Sequence, residues 1–165
     1  MGFKKILLLP LAALCLGSCS AGGSAKPCDV EEKFHSAVTV TSGEKQYQAT
    51  IQRADADVWE MEFSQPDTVA GMKLNFTGKV CTLEFQGLKY EMDRADVSPY
   101  SMATSCCDAI EELINKRGIT CEKKGDILTE RGEVDGQSFT ASFKKGKLKE
   151  LTVSDQLKYK FSPVK

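Results

Sequence analysis

Through most of the chain, large apolar and polar side chains alternate one for one. Tyr47, Ala49 and Ile51 interleave with Gln48 and Thr50, and Trp59, Met61 and Phe63 interleave with Glu60 and Glu62. Successive side chains of a strand point to opposite faces, so this period of two predicts strands with one buried and one solvated face. The same rhythm returns in Leu74 and Phe76, in Cys81, Leu83 and Phe85, and in Leu88, Tyr90 and Met92. Near the C-terminus it runs through Phe139, Ala141 and Phe143, then Leu151 and Val153, then Leu157, Tyr159 and Phe161. Short turns separate these runs: Ser42-Gly43-Glu44, Thr77-Gly78-Lys79, Gln86-Gly87, Asp135-Gly136, Lys145-Gly146-Lys147 and Ser154-Asp155. Asp-Gly is a strong two-residue hairpin signal. Segments this close in sequence pair with their neighbours, which predicts an antiparallel meander of about nine to eleven strands.

One segment changes period. From Ser98 to Lys116 the apolar residues fall at Met102, Cys106, Ile110, Leu113 and Ile114, the spacing of an amphipathic helix. Ser98 is the expected N-cap, with Pro99 at the first helical position. Gly118 supplies the stop, after Lys116 and Arg117 at the negative end of the helix dipole. A second, short helical stretch is weakly marked at Glu31–Phe34. The fold class is therefore α+β and mainly antiparallel β: a curved half-barrel sheet covered by one lid helix. Met102, Ile110, Leu113 and Ile114 form the lid's apolar stripe.

A helix of about 19 residues spans only about 28 Å, less than so many strands present. Whatever it leaves uncovered becomes a groove, and large exposed apolar surfaces mark binding sites. The candidate ligand-lining residues are Trp59, Met61, Phe63, Leu74 and Phe76, together with Phe85, Tyr90, Met92, Phe139 and Phe143. Core is the default role for such side chains, and ligand contact needs only a subset at the rim. Methionine and aromatic groups suit that subset because they adapt to a flexible acyl chain.

The N-terminus has a different organisation. Lys4 and Lys5 precede an apolar run, Ile6 to Leu16, which ends in Leu16-Gly17-Ser18-Cys19. That is the layout of a secretory signal. The run is too short for the roughly 20 residues of a bilayer span, and Pro10 interrupts it. Small residues followed by cysteine resemble the lipobox of bacterial lipoproteins. The resemblance implies a diacylglyceryl group on the Cys19 thiol and cleavage that leaves Cys19 first. Residues 1–18 are then the signal peptide, 19–28 the lipidated cysteine and a flexible tether, and 29–165 a single domain. The expected location is the outer surface of a cell membrane.

Without residues 1–18 the chain carries 20 basic and 23 acidic groups. That balance gives no basic stripe for nucleic acid. The charges are segregated, with a net −9 over residues 28–115 and a net +5 over 116–165. Five cysteines remain after Cys15 and Cys19: Cys28, Cys81, Cys106, Cys107 and Cys121. An exported chain can form disulfides, but an odd number leaves at least one thiol unpaired. If Cys106 and Cys107 pair, Cys81 or Cys121 is the expected partner for either. There is no Cys-x-x-Cys, and His35 is the only histidine, so no metal site or cofactor is expected. No nucleophile or phosphate-loop motif is present. Asp55 with Asp57, and Asp93 with Asp96, sit at strand ends as turn residues. The chain is expected not to be an enzyme.

One stretch carries a family resemblance: Phe63-Ser64-Gln65-Pro66-Asp67-Thr68-Val69-Ala70-Gly71-Met72-Lys73-Leu74-Asn75-Phe76, followed by Leu83-Glu84-Phe85-Gln86-Gly87-Leu88. A strand ending before proline, a short apolar-glycine turn and two strands closing on Gly-Leu resemble the lipoprotein-carrier (LolA/LolB-like) half-barrel family. Lipid-anchored relatives in spore-forming Gram-positive bacteria, including a germination lipoprotein, are the most similar branch. The strand pattern matches over residues 34–161, and the motif over about 30 of them. The resemblance implies a lipid, acyl chain or lipoprotein held on an apolar concave face. A tether at Cys19 makes the chain more receptor-like than a free shuttle. The competing expectation is a tethered, non-enzymatic scaffold that binds another exported cell-envelope protein.

Overall fold

A computed structural model of the protein describes residues 25–98 and 101–164. The alternating segments form eleven strands. The first six are β1 (His35–Ser42), β2 (Lys45–Asp55), β3 (Val58–Gln65), β4 (Lys73–Thr77), β5 (Val80–Phe85) and β6 (Leu88–Asp93). The helix α1 (Met102–Asn115) follows, then β7 (Thr120–Lys124), β8 (Ile127–Val134), β9 (Gln137–Lys144), β10 (Lys147–Val153) and β11 (Leu157–Ser162). All strands join one antiparallel sheet in the order β6-β5-β4-β3-β2-β1-β11-β10-β9-β8-β7.

Every neighbouring pair is a sequential hairpin except one. β1 pairs with β11, Val38 opposite Phe161 and Val40 opposite Tyr159, so the first and last strands meet at the centre. The two halves of the chain are thus the two wings of the sheet. The acidic half of the sequence supplies β1–β6 and the basic half supplies β7–β11. Register shifts at Gln48/Ala49 and Arg53/Asp55 in the β2–β3 pair, and at Leu148/Glu150 in β10, add local twist. They help an open sheet of this width to curl into a half-barrel.

α1 connects the two edge strands, β6 and β7, in sequence and lies against β8 and β10. It is shorter than the expected Ser98–Lys116. The cap is Ser101 rather than Ser98, its hydroxyl accepting from the Thr104 N–H at 3.1 Å. The first-turn position expected for Pro99 lies outside the described residues. At the other end Lys116 is the left-handed cap, with φ 54°, and Gly118, the expected stop, is left-handed two residues further on, with φ 61°. Glu31–Phe34 forms a bend and no helix.

The small residues Ala103, Cys106, Cys107 and Ala109 are buried and let α1 approach the sheet closely, while Ile110 and Leu113 fill the space beneath it. Met102 and Ile114 are only partly covered. The Tyr159 hydroxyl donates to the Met102 carbonyl at 2.9 Å, fixing the start of the helix over β11. Gly132 gives the core one local necessity. A Cβ there would sit 2.6 Å from the Phe139 ring, so only glycine lets that ring lie against β8.

Candidate functional site

The register aligns the apolar face of β3–β6 in three rows. Trp59, Phe76, Cys81 and Met92 form the first row, and Met61, Leu74, Leu83 and Tyr90 the second. The third starts at Phe63, whose N–H donates to the Met72 carbonyl at 2.9 Å, and ends with the pair Phe85 and Leu88. Burial differs sharply along these rows. Trp59, Met61, Phe63, Phe76 and Cys81 are buried, and Leu74, Met72 and Met92 are half-covered against the core. Leu83 and Phe85 are half-exposed, Tyr90 is 63% exposed and Leu88 is 78% exposed.

The uncovered surface is therefore an apolar strip on the outer wing, built by Met72, Leu74, Leu83, Phe85, Leu88 and Tyr90. It lies on the same face that α1 fills over the opposite wing. Of the ten ligand-lining candidates, Trp59, Met61, Phe63, Phe76, Phe139 and Phe143 are packed core. Leu74, Phe85, Tyr90 and Met92 lie at or beside the strip. Leu83 and Leu88, absent from the sequence-based set, sit at its centre and edge. Their alternation with Lys89 and Glu84 marked the face but not which part of it the helix would miss.

A second hollow, a cleft of about 260 Å³, lies between the N-terminal segment and the β10–β11 side. Val30, Phe34, Phe143, Leu148 and Phe161 give it an apolar wall, and Lys147 and Lys149 stand beside it. Its volume is slightly under the roughly 300–1,000 Å³ of ordinary small-molecule pockets. The Cys28 thiol contacts the Gly146 carbonyl at 3.5 Å, in the turn between Lys145 and Lys147. The start of the domain therefore lies against a lysine-rich hairpin.

The helix is clamped to the sheet by a buried polar cluster. Arg53 donates through Nε to Glu111 Oε1 at 2.7 Å and through Nη2 to Oε2 at 3.1 Å. Trp59 Nε1 donates to the same carboxylate at 2.8 Å, and Arg53 Nη1 donates to the Glu32 carbonyl at 2.6 Å. Burial pushes the Glu111 carboxyl up, but the bonds from Arg53 and Trp59 more than offset it and leave its pKa below the ordinary value. A bidentate pair of this kind is geometrically specific as well as strong. Arg53 occupies the next slot of the Tyr47-Ala49-Ile51 face, and a charge in phase with an apolar run is the sequence signal that it pairs inside.

Glu130 is another in-phase charge, opposite Ala141 on β9 and Cys121 on β7. It is fully buried; one oxygen accepts from the Cys28 N–H and the other has no partner among the described residues. Burial raises its pKa, despite that bond and the charge of Lys116. Asp108 on α1 is also raised by burial, despite its bond to Arg94, which stacks 4.8 Å over the Phe76 ring. A raised carboxyl binds its proton more tightly in the folded state. These two groups therefore cost stability above their folded pKa, and the cost vanishes once the pH falls below about 4. Glu111 has the opposite sign: it contributes above about 4.3 and is lost as pH falls through its lowered value. The Glu130 and Asp108 contributions therefore become more favourable as pH falls through their raised values, and the Glu111 contribution is lost as pH falls through its lowered one. Glu130→Gln should melt higher than the natural chain at pH 7, with the gap closing in mild acid. A gap that stays constant with pH would contradict this reading of Glu130.

The other sequence candidates take local roles. Asp55 Oδ1 accepts from the Ala56 N–H at 2.8 Å, and Asp93 caps the turn at Arg94–Asp96 by accepting from the Ala95 N–H at 2.9 Å. Cys28, Cys81, Cys106, Cys107 and Cys121 are all free thiols. Burial raises the pKa of each, most strongly for Cys106 and Cys107 on α1. His35 opens β1. Cys19, the signal segment and the first part of the tether lie outside the described residues. Among the described residues no helix is long and apolar enough to cross a membrane.

No protein-family model matches the chain, and no curated protein does. Among solved structures, it is similar to an uncharacterized conserved protein from Thermus thermophilus. The two share 12% identity and a TM-score of 0.48, with 83% of each chain covered.

Proposed function

We propose that the chain is a membrane-anchored, extracytoplasmic and non-enzymatic lipoprotein. It holds a lipid, an acyl chain or the acylated end of another lipoprotein on the apolar strip of β4–β6. The observation that carries this reading is the division of one face into two parts. Under α1 the face is filled, whereas on the outer wing Leu88 and Tyr90 are exposed and Leu83 and Phe85 are only partly covered. Leaving such side chains in water costs roughly 25 cal/mol for each Å² of apolar surface, so a hydrophobic ligand that covers them gains that term. Cys19, as a lipidated anchor, supplies the location.

Ligand binding on the strip is tested by titrating a fluorescent fatty acid into the full chain and into Leu83→Glu. Saturable binding that the substitution weakens by tenfold or more, on the order of 1.4 kcal/mol, is expected. Equal binding by both proteins would remove the strip as the site.

The second reading is a tethered scaffold for another exported cell-envelope protein. The free edge of β6 favours it, because an unpaired strand offers main-chain groups to a partner. Recovery of a stoichiometric protein from detergent-solubilised membranes supports this reading, and recovery of lipid alone removes it.

A further inference from the structure

β6 ends the sheet, and its chemistry is matched to itself. Gln86 and Gly87 have φ of 51° and 79°, the two-residue hairpin turn whose flanking residues Phe85 and Leu88 form a hydrogen-bonded pair. Hydrogen-bonded pairs alternate along an antiparallel ladder, so Leu88, Tyr90 and Met92 direct their main-chain groups inward to β5. Arg94, next in that series, donates to the Lys79 carbonyl at 2.8 Å, which keeps the phase. The N–H and C=O groups of Lys89 and Glu91 consequently face outward, with no strand beside them among the described residues. Natural sheets protect such edges with charges that point inward on the apolar face. The opposite edge does this: Lys123 of β7 lies opposite Leu128, which lies opposite Phe143 of the core. On β6 the corresponding positions are Leu88, Tyr90 and Met92.

We propose that β6 pairs antiparallel with β6 of a second copy of this chain, about a two-fold axis at Tyr90. In that register Tyr90 faces the second copy's Tyr90, and Leu88 and Met92 face the second copy's Met92 and Leu88 on the apolar side. On the polar side Lys89 faces the second copy's Glu91, and Glu91 faces its Lys89. Both outward residues exchange main-chain hydrogen bonds, and the ion pair now made within the strand, Lys89 to Glu91 at 3.4 Å, is exchanged between copies. Neighbouring registers do not share this match. A shift by one residue sets the apolar face against the polar face. Centring on Lys89 sets Lys89 against Lys89, centring on Glu91 sets Glu91 against Glu91 although it also brings Lys89 to Asp93, and centring on Met92 sets Glu91 against Asp93. Of these registers the one centred on Tyr90 makes every charged pair along the edge attractive, and the strand that supplies both signs in that order is a second copy. The two apolar strips then lie side by side as one surface. The inference concerns the edge and stands whether or not a ligand occupies the face.

Sedimentation equilibrium of the full chain in density-matched detergent tests it. A concentration-dependent dimer is expected. Lys89→Glu or Glu91→Lys should weaken it roughly tenfold, since each converts two attractive cross-strand pairs to repulsive ones. The double variant Lys89→Glu/Glu91→Lys should restore it, because the pairs re-form with signs exchanged. A monomer at every concentration, or a dimer indifferent to the single reversals, overturns the proposal. Circular dichroism that stays native in both single variants excludes misfolding as the cause of any loss. Fatty-acid binding that fails while the charge-reversal pattern holds removes the proposed ligand and leaves the dimer intact.

Discussion

Replacing Glu111 with leucine is expected to lower the unfolding free energy by about 3–5 kcal/mol, the cost of stranding one member of a buried ion pair. Arg53 has a side chain only 7% exposed, and its guanidinium would keep only the Glu32 carbonyl as a partner. Trp59 Nε1 would lose its acceptor at the same time. The effect reaches function because Glu111 is the polar link that ties α1 to β2 and β3, next to the open wing. A helix released there would expose the filled half of the face. The double variant Arg53→Met/Glu111→Leu should recover most of the loss, since an apolar replacement of a buried pair is often neutral. Urea unfolding of the three proteins measures this. A single variant within about 1 kcal/mol of the natural chain would mean that the pair is solvated in practice.

Phe76→Ala should cost about 3–5 kcal/mol, whereas Leu83→Glu, one strand farther toward the edge, should change stability by less than about 1. Phe76 is fully buried, and its loss opens a cavity between Trp59 and Cys81 while removing the ring beneath Arg94. Leu83 is half-exposed and does not pack on the core. The two substitutions thus separate core from strip with a denaturation curve alone. Equal losses would show that the strip is as deeply packed as its neighbours.

Period-two alternation made the strands legible, because a half-buried sheet leaves no other way to place apolar side chains. The break at Met102–Ile114 made the lid legible for the matching reason. Other features depend on long-range geometry that no local pattern encodes. The pairing of Val38 with Phe161 joins the ends of the chain, and nothing near either residue announces it. The helix cap falls at Ser101 and not at Ser98, whose carbonyl instead accepts from the Ser101 N–H at 2.9 Å and the Thr104 hydroxyl at 2.8 Å. Six of the ten candidate lining residues proved to be core, since alternation identifies a face and not its cover. Arg53 and Glu130 were readable in principle, as charges in phase with apolar neighbours. Their partners, Glu111 and the Cys28 N–H, lie 58 and 102 residues away in sequence.

On the proposed function, the strip of β4–β6 holds a hydrophobic ligand beside the membrane. Native mass spectrometry of the full chain, purified from its own membrane without delipidation, tests it most directly. The expected spectrum shows a non-covalent lipid or acyl adduct in addition to the mass of the Cys19 modification, and Leu83→Glu abolishes only the non-covalent part. A spectrum containing the covalent anchor and nothing else, in both proteins, would contradict it.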